Sequence, residues 1–167
     1  DNGSAGGPSA TDEDAGITNR DWYKTLFADG HQSATDPEYN NIIYATTQEG
    51  RFHRVDLETG EQVFVQPQAL EGDPHERYNW DTPILVSPHN PAKIYIGSYR
   101  VWESNDRGDS WNPISGDLTR NENRIELPIM GRKQSWDNAW DVKAMSQYNT
   151  ITSCLLYTSP SPRDSFR

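Results

Sequence analysis

The chain has 167 residues, enough for one domain with a sizeable core, and its formal net charge is −10 at pH 7. This acidity argues against nucleic acid or an anionic membrane surface as a partner, because both attract an excess of lysine and arginine. No apolar stretch approaches the ~20 residues of a membrane-spanning helix. Six tryptophans and eight tyrosines in so polar a chain favour a fold of short strands held together by aromatic rings.

The amino-terminal segment, residues 1–30, is predicted to hold the end of one structural unit followed by a long loop. Glycine, serine and aspartate dominate from Gly3 to Arg20, and this composition is typical of irregular backbone. The unit that the segment would complete is expected to begin upstream of Asp1.

The central part of the chain contains an internal repeat. Pro88 stands 51 residues after Pro37, and Tyr95 stands 51 residues after Tyr44. In each copy an apolar run ends at the tyrosine, and a strand-like run, a Gly-containing turn and a further short strand follow it. A period of about 50 residues with about four strands in each copy is the signature of a β-propeller blade.

Each copy of the repeat is predicted to form one four-stranded blade. The first blade, residues 31–67, has predicted strands at residues 31–35, 41–47, 52–56 and 62–65. The second blade, residues 68–115, has predicted strands at residues 82–87, 93–98, 101–104 and 110–114. The predicted fold class is therefore all-β, a fragment of a β-propeller with about two four-stranded blades plus the start of a third.

Three further segments follow the second blade. Residues 116–147 are predicted to be an insertion between blades, partly helical around Asn138 to Met145. Residues 148–153 resemble the approach to the second blade and are predicted to start the next one. Residues 154–167 abandon the repeat and resemble the conceptual translation of a sequencing adapter, so we expect this tail to be an artefact. The single cysteine, Cys154, would then carry no information about the redox compartment.

The segment from Ser104 to Trp111 reads Ser-Asn-Asp-Arg-Gly-Asp-Ser-Trp and matches every fixed position of the Asp-box pattern Ser-x-Asp-x-Gly-x-Ser/Thr-Trp. Asp106 is predicted to accept hydrogen bonds from turn amides, and Gly108 to adopt a positive φ. Ser104 and Ser110 would close the turn, and Trp111 would fill a gap between neighbouring strands or blades. We assign these residues a structural role, because a carboxylate held by its own turn is not free for catalysis.

On this motif, and on stretches such as Trp80–Pro83, Ser87–His89 and Ser115–Thr119, residues 1–153 resemble bacterial BNR/Asp-box repeat proteins of the glycosyl-hydrolase-like or sortilin (Vps10)-like type. Relative to this pattern, the box of the first blade, residues 56–61, is degenerate. The resemblance implies a propeller with the Asp-box at the blade periphery and ligands in a central funnel. It also implies a secreted, periplasmic or cell-surface protein whose ring is completed by further blades of its own full-length chain.

Two classes of function remain open at this stage. The first is a carbohydrate-active, glycoside-hydrolase-like or glycan-binding propeller, for which this chain alone is expected to be inactive. The second is a non-catalytic, sortilin-like propeller that binds extracellular peptides or proteins. The fold does not decide between them, and no catalytic residue is assigned.

Candidate ligand-binding residues follow from the topology of a blade. The segments that lead into the first strand and the turns that join the second strand to the third share one face of a propeller. The candidates on this funnel face are Asp29, His31, Glu49, Trp80, Asp81, Tyr99 and Arg100. Aromatic rings stack on sugars, and two carboxylates would suit hydrolysis with retention if ~5–5.5 Å apart, or with inversion if ~6.5–9.5 Å apart. Two structural alternatives stay open, namely a core position for Trp80 and a turn-capping role for Asp81.

The sequence offers no pattern for a metal or a cofactor. The four histidines show no metal-ligand spacing, and no pair of cysteines exists. No Gly-rich phosphate loop follows a predicted strand. We therefore expect neither a metal site nor a cofactor.

Overall fold

The computed structural model describes residues 2–142 and 147–154. Within these residues the fold is all-β, as predicted, with twelve strands in four antiparallel sheets, one short α-helix and three 3-10 turns. Two of the sheets have four strands and two have two strands. Asp1 and almost all of the predicted adapter-derived tail lie outside the described residues. None of the helices in the described part of the chain has the length or apolarity needed to span a bilayer.

The segment predicted as a continuous loop contains a strand. Strand β1, Ser4–Gly6, pairs with strand β2, Tyr23–Leu26, to form a two-stranded antiparallel sheet. The glycines that suggested a loop instead permit close backbone approach. A Cβ on Gly3 would lie 2.4 Å from the carbonyl oxygen of Leu26, so only glycine fits there. The prediction of a loop from residue 3 to residue 20 is therefore wrong at its amino-terminal end.

The first four-stranded sheet coincides with the first predicted blade. Its strands are β3, Ser33–Thr35; β4, Ile42–Thr47; β5, Arg51–Asp56; and β6, Gln62–Phe64. They follow one another in the order β3-β4-β5-β6, so each strand pairs with its neighbour in the chain. β4 is the most deeply buried strand, and its β-branched and aromatic residues suit a pleated surface covered on both sides.

The second four-stranded sheet repeats this arrangement. Its strands are β7, Ile84–Val86; β8, Ile94–Gly97; β9, Val101–Ser104; and β10, Asn112–Pro113. Their order is again consecutive. All eight strands predicted for the two repeats are present, and several are shorter at their ends than the sequence indicated.

The hydrophobic core lies between the two four-stranded sheets. The phenyl ring of Phe52 packs against the indole of Trp111, with centroids 6.0 Å apart, and Trp102 is 1% exposed. Burying side chains of this size contributes about 1.5–3 kcal/mol each. The buried cluster comprises Tyr44, Phe52, Val65, Tyr78, Ile94, Ile96 and Trp102.

The predicted insertion after the second sheet folds into small local elements. Strands β11, Pro128–Ile129, and β12, Arg132–Lys133, form a hairpin that the sequence analysis missed. Helix α1, Ala139–Val142, lies inside the predicted helical stretch, of which residues 143–145 are outside the described part.

The segment predicted to start a further blade, residues 148–153, forms no strand. It is nevertheless anchored to the second sheet. The backbone N–H of Ile151 donates a 2.7 Å hydrogen bond to the Ser98 carbonyl, and the Ile151 side chain lies against Gly97.

Candidate functional site

The Asp-box segment forms a closed turn after β9. Asp106 Oδ1 accepts hydrogen bonds from Ser104 Oγ at 2.7 Å and from the Ser110 backbone N–H at 2.8 Å. The Gly108 N–H donates to Ser104 Oγ at 2.8 Å, and Gly108 has a φ of +93°. Hydrogen bonds from the hydroxyl and the N–H of Ser110 hold the pKa of Asp106 below its usual range. The carboxylate is thus engaged by its own turn.

The same turn reaches across to the first four-stranded sheet. Arg107 Nε donates to Asp36 Oδ2 at 2.9 Å, and Asp36 is fully buried. In return, Arg54 Nη1 donates to the Arg107 carbonyl at 2.8 Å and lies 2.9 Å from Asp109 Oδ1. The indole N–H of Trp111 donates at 2.7 Å to the carbonyl of Val65, the residue after β6. The turn therefore connects the two sheets through ion pairs and through the hydrogen bond that the Trp111 indole N–H donates.

Ionisation of Asp36 depends on these partners. Burial by itself disfavours the charged carboxylate, but the backbone N–H of Glu38 and the guanidinium of Arg107 stabilise it, followed by the N–H of Tyr39 and the hydroxyl of Tyr44. Together they hold the pKa of Asp36 below its ordinary value. Burial and the adjacent Asp36 charge raise the pKa of Tyr44, so this phenol stays protonated as a hydrogen-bond donor.

The opposite end of the two sheets holds the candidate ligand-binding residues. At this end the β4–β5 turn lies beside the segment leading into β3, because His31 N–H bonds to Thr46 O at 3.2 Å. The β8–β9 turn likewise lies beside the segment leading into β7. The two sheets meet there, since the Ile84 N–H donates to Gln32 Oε1 at 3.1 Å. We call this end the upper face; its candidate residues are Asp29, His31, Glu49, Trp80, Asp81, Tyr99 and Arg100.

Three of these candidates come together at the junction of the two sheets. His31 Nδ1 lies 3.6 Å from Asp81 Oδ1, and Asp29 interacts with both His31 and Gln48. The His31 side chain is 15% exposed, whereas that of Asp81 is 60% exposed. Asp81 therefore presents its carboxylate to solvent beside a half-buried imidazole.

The turn before β7 is capped by Asn79, not by Asp81. Asn79 Oδ1 accepts the Asp81 N–H at 3.0 Å, and the hydroxyl of Thr82 donates to the Asn79 carbonyl at 2.7 Å. The capping alternative for the Asp81 carboxylate is therefore wrong. Trp80, between these residues, is half-buried and is absent from the core cluster.

Tyr99 and Arg100 are buried in a polar network instead of standing open on the upper face. Arg100 lies 2.7 Å from Asp73 and 2.9 Å from Glu76, and its guanidinium stacks on both Tyr99 and Trp102. Glu76 is 4% exposed and also accepts the Trp102 indole N–H at 2.8 Å and the Ser98 hydroxyl. The network fixes the segment between the two sheets to the β8–β9 turn.

Glu76 is the residue that sequence reasoning missed. It stands in a polar segment with no periodicity, so nothing in the sequence distinguishes it from the exposed acids around it. Only the placement of Arg100 and Trp102 across the sheet shows that a carboxylate is required there.

Glu49 borders a cavity between the two sheets near the upper face. This cavity has a volume of about 320 Å³ and is also lined by Gln66, His75 and Glu76. Glu49 has a positive φ of 57°, and its carbonyl accepts a hydrogen bond from Gln66 Nε2 at 2.9 Å. In the part of the chain that the structure describes, no group of three or more metal-ligating side chains converges.

The upper face thus divides into two parts. Asp29, His31 and Asp81 form a polar group whose exposed member is Asp81, whereas Tyr99 and Arg100 belong to the buried network below the β8–β9 turn. The sequence matches no protein-family model and no curated protein.

Proposed function

We propose that the chain forms two adjacent blades of an Asp-box β-propeller that binds glycans at its upper face. Support for the blades comes from two consecutive four-stranded meanders that repeat with a 51-residue offset. The Asp-box turn of the second sheet rests on the first sheet, as expected of neighbouring blades. A propeller ring has about 4–8 blades, so the proposal requires others to complete it.

The observation that favours glycans is the chemistry of the accessible part of the upper face. Asp81 is solvent-exposed, lies beside His31 and follows the half-buried ring of Trp80. Carboxylates accept hydrogen bonds from sugar hydroxyls, and an indole offers a flat apolar surface to a sugar ring. By the resemblance to Asp-box proteins, we place the protein in a secreted, periplasmic or cell-surface setting.

Binding is a better description than hydrolysis for this chain. Glycoside hydrolysis needs two carboxyl groups flanking the scissile bond. Asp81 is accessible, but the second acid of the group, Asp29, is half-buried and engaged with His31 and Gln48. A second catalytic acid would therefore have to come from another blade.

Isothermal titration of the chain with neutral cello-, xylo- and manno-oligosaccharides tests the proposal. We expect at least one series to bind, and Asp81→Asn to weaken that binding about fivefold through loss of a charge-assisted hydrogen bond. Asp12→Asn is the matched control, because Asp12 is exposed in the amino-terminal segment, and its binding should equal that of the parent chain. No new reducing ends are expected during the incubation.

The same titrations separate the alternative function. A sortilin-like chain would bind short extended peptides in preference to every oligosaccharide. Peptide binding that Asp81→Asn weakens, with no response to any glycan, would replace the glycan proposal by the peptide-binding one. If neither oligosaccharides nor peptides bind, the proposal that the upper face of this chain is a binding site is refuted.

A further inference from the structure

A second cleft lies between the insertion and the segment that leads into β7. Its volume is about 610 Å³. One side is formed by residues 74–77 and the other by the 3-10 turn Arg124–Glu126, the segment before α1 and residues 147–149. The charged and large aromatic side chains of the lining are Arg77, Glu122, Arg124, Trp136 and Tyr148.

Arg124 is the residue that gives this cleft a chemical preference. Its guanidinium stacks 5.4 Å from the Tyr148 ring centroid, and Nη1 donates to the Asp141 backbone carbonyl. Its Nε is buried and has no hydrogen-bond partner among the described residues. The nearby Asp141 carboxylate does not satisfy it, because Arg132 binds that carboxylate at 2.8 Å and 3.0 Å.

Because Arg124 is only half-buried and lines the cleft, an anion entering the cleft would supply the ion pair that this guanidinium lacks among the described residues. The other charged side chains of the cleft are already occupied. Arg77 is held by Asp117 at 2.9 Å, and Arg120 lies 3.8 Å from the Glu122 carboxylate. Within the described part of the cleft, Arg124 is the cation that forms no ion pair.

Trp136 is the second residue that favours a particular class of ligand in this cleft. Its side chain lines the cleft and is 70% exposed, which is unusual for the largest apolar residue. An exposed indole beside a guanidinium fits a ligand that combines a flat ring with a carboxylate. The side-chain amides of Asn123 and Asn149 also line the cleft, but each already bonds within the protein through both its oxygen and its nitrogen.

We infer that this cleft binds a carboxylate-bearing sugar, a hexuronate residue of an acidic oligosaccharide. Arg124 pairs with the carboxylate and Trp136 stacks on the sugar ring. The inference rests on the proposed glycan-binding function and names the class of glycan. The cleft adjoins the upper face, because Arg77 in its wall stacks 4.4 Å from the Tyr99 ring centroid.

The test is titration of the full chain with trigalacturonic acid, followed by tryptophan fluorescence and calorimetry. We expect Arg124→Gln to weaken binding about tenfold and Arg124→Lys to restore only part of the loss, since lysine lacks the planar fork. Trp136→Ala should weaken binding about fivefold. The matched controls are Lys133→Gln and Trp140→Ala, which change exposed residues of the same insertion outside this cleft and should leave binding within about twofold of the parent.

Trp136→Ala keeps the test valid if Arg124→Gln lowers the melting temperature, because removing a largely exposed ring leaves the core intact. Unchanged affinity for trigalacturonic acid in both variants would overturn the inference. Equal competition by acetylated triglutamate would also overturn it, by showing that the cleft selects carboxylates without selecting sugars.

The two proposals fail in different ways. If neutral oligosaccharides bind and Asp81→Asn weakens that binding while trigalacturonic acid does not bind, the result supports glycan binding at the upper face and refutes the hexuronate site in the cleft. If Arg124→Gln weakens the binding of trigalacturonic acid and Asp81→Asn changes the binding of no glycan, the result supports the hexuronate site in the cleft and refutes glycan binding at the upper face.

Discussion

Replacing Arg107 by methionine should remove the main electrostatic link between the two four-stranded sheets. Methionine keeps much of the side-chain volume over Tyr39, whose ring centroid lies 4.7 Å from the guanidinium, but it leaves the fully buried Asp36 without its cation. Breaking a buried pair in this way typically costs about 3–5 kcal/mol. Asp36 keeps hydrogen bonds from Glu38, Tyr39 and Tyr44, so we expect a loss of about 2–3 kcal/mol here.

The pH dependence of this loss identifies its cause. The pKa of Asp36 is depressed in the folded chain, so its ionised form stabilises the fold above the unfolded pKa. That contribution disappears as the pH falls through the folded pKa. The difference in unfolding free energy between the parent and Arg107→Met should therefore be largest near neutral pH and shrink below about pH 4.

Urea denaturation monitored by tryptophan fluorescence measures both effects, with similar m-values required for the comparison. Arg120→Met is the control, because the Arg120 side chain is 86% exposed and its contact with Glu122 is 3.8 Å long. An exposed pair of this kind contributes about 0–1 kcal/mol. A loss in Arg107→Met no larger than in the control, or one that stays constant from pH 7 to about pH 3, would refute the reasoning.

Three further substitutions test the turn and the buried network. Gly108→Ala should cost about 1–3 kcal/mol in urea unfolding, because its φ is +93° and a Cβ would lie 3.1 Å from Val65, whereas Gly116→Ala, with no atom within 4 Å, should be nearly neutral. Glu76→Gln should cost about 3 kcal/mol and lower the melting temperature, because it leaves the buried Arg100 with Asp73 as its remaining carboxylate partner. Trp111→Phe should cost about 1 kcal/mol by calorimetry, since it keeps an aromatic ring beside Phe52 but loses the indole hydrogen bond; no loss would show that this bond is not stabilising.

Local patterns were sufficient to locate most of the strands. The repeat around Pro37 and Pro88 placed all eight strands of the two large sheets, because residues that alternate or run apolar have few other ways to bury their side chains. The Asp-box residues were likewise identifiable, since the turn is closed by groups only a few positions apart. Composition failed at Ser4–Gly6, where glycine served close backbone packing and a strand formed instead of a loop.

What the sequence by itself determined, then, was the set of local elements: the strands, the Asp-box turn and the segments that flank them. The tertiary structure alone decided which polar groups are occupied and which are accessible. Arg100 and Asp81 were equivalent candidates in the sequence, yet Arg100 is buried against Glu76 whereas Asp81 remains open beside His31. The reason is physical, because ion pairs such as Arg107–Asp36 join residues 71 positions apart, and no local pattern encodes a partner at that separation.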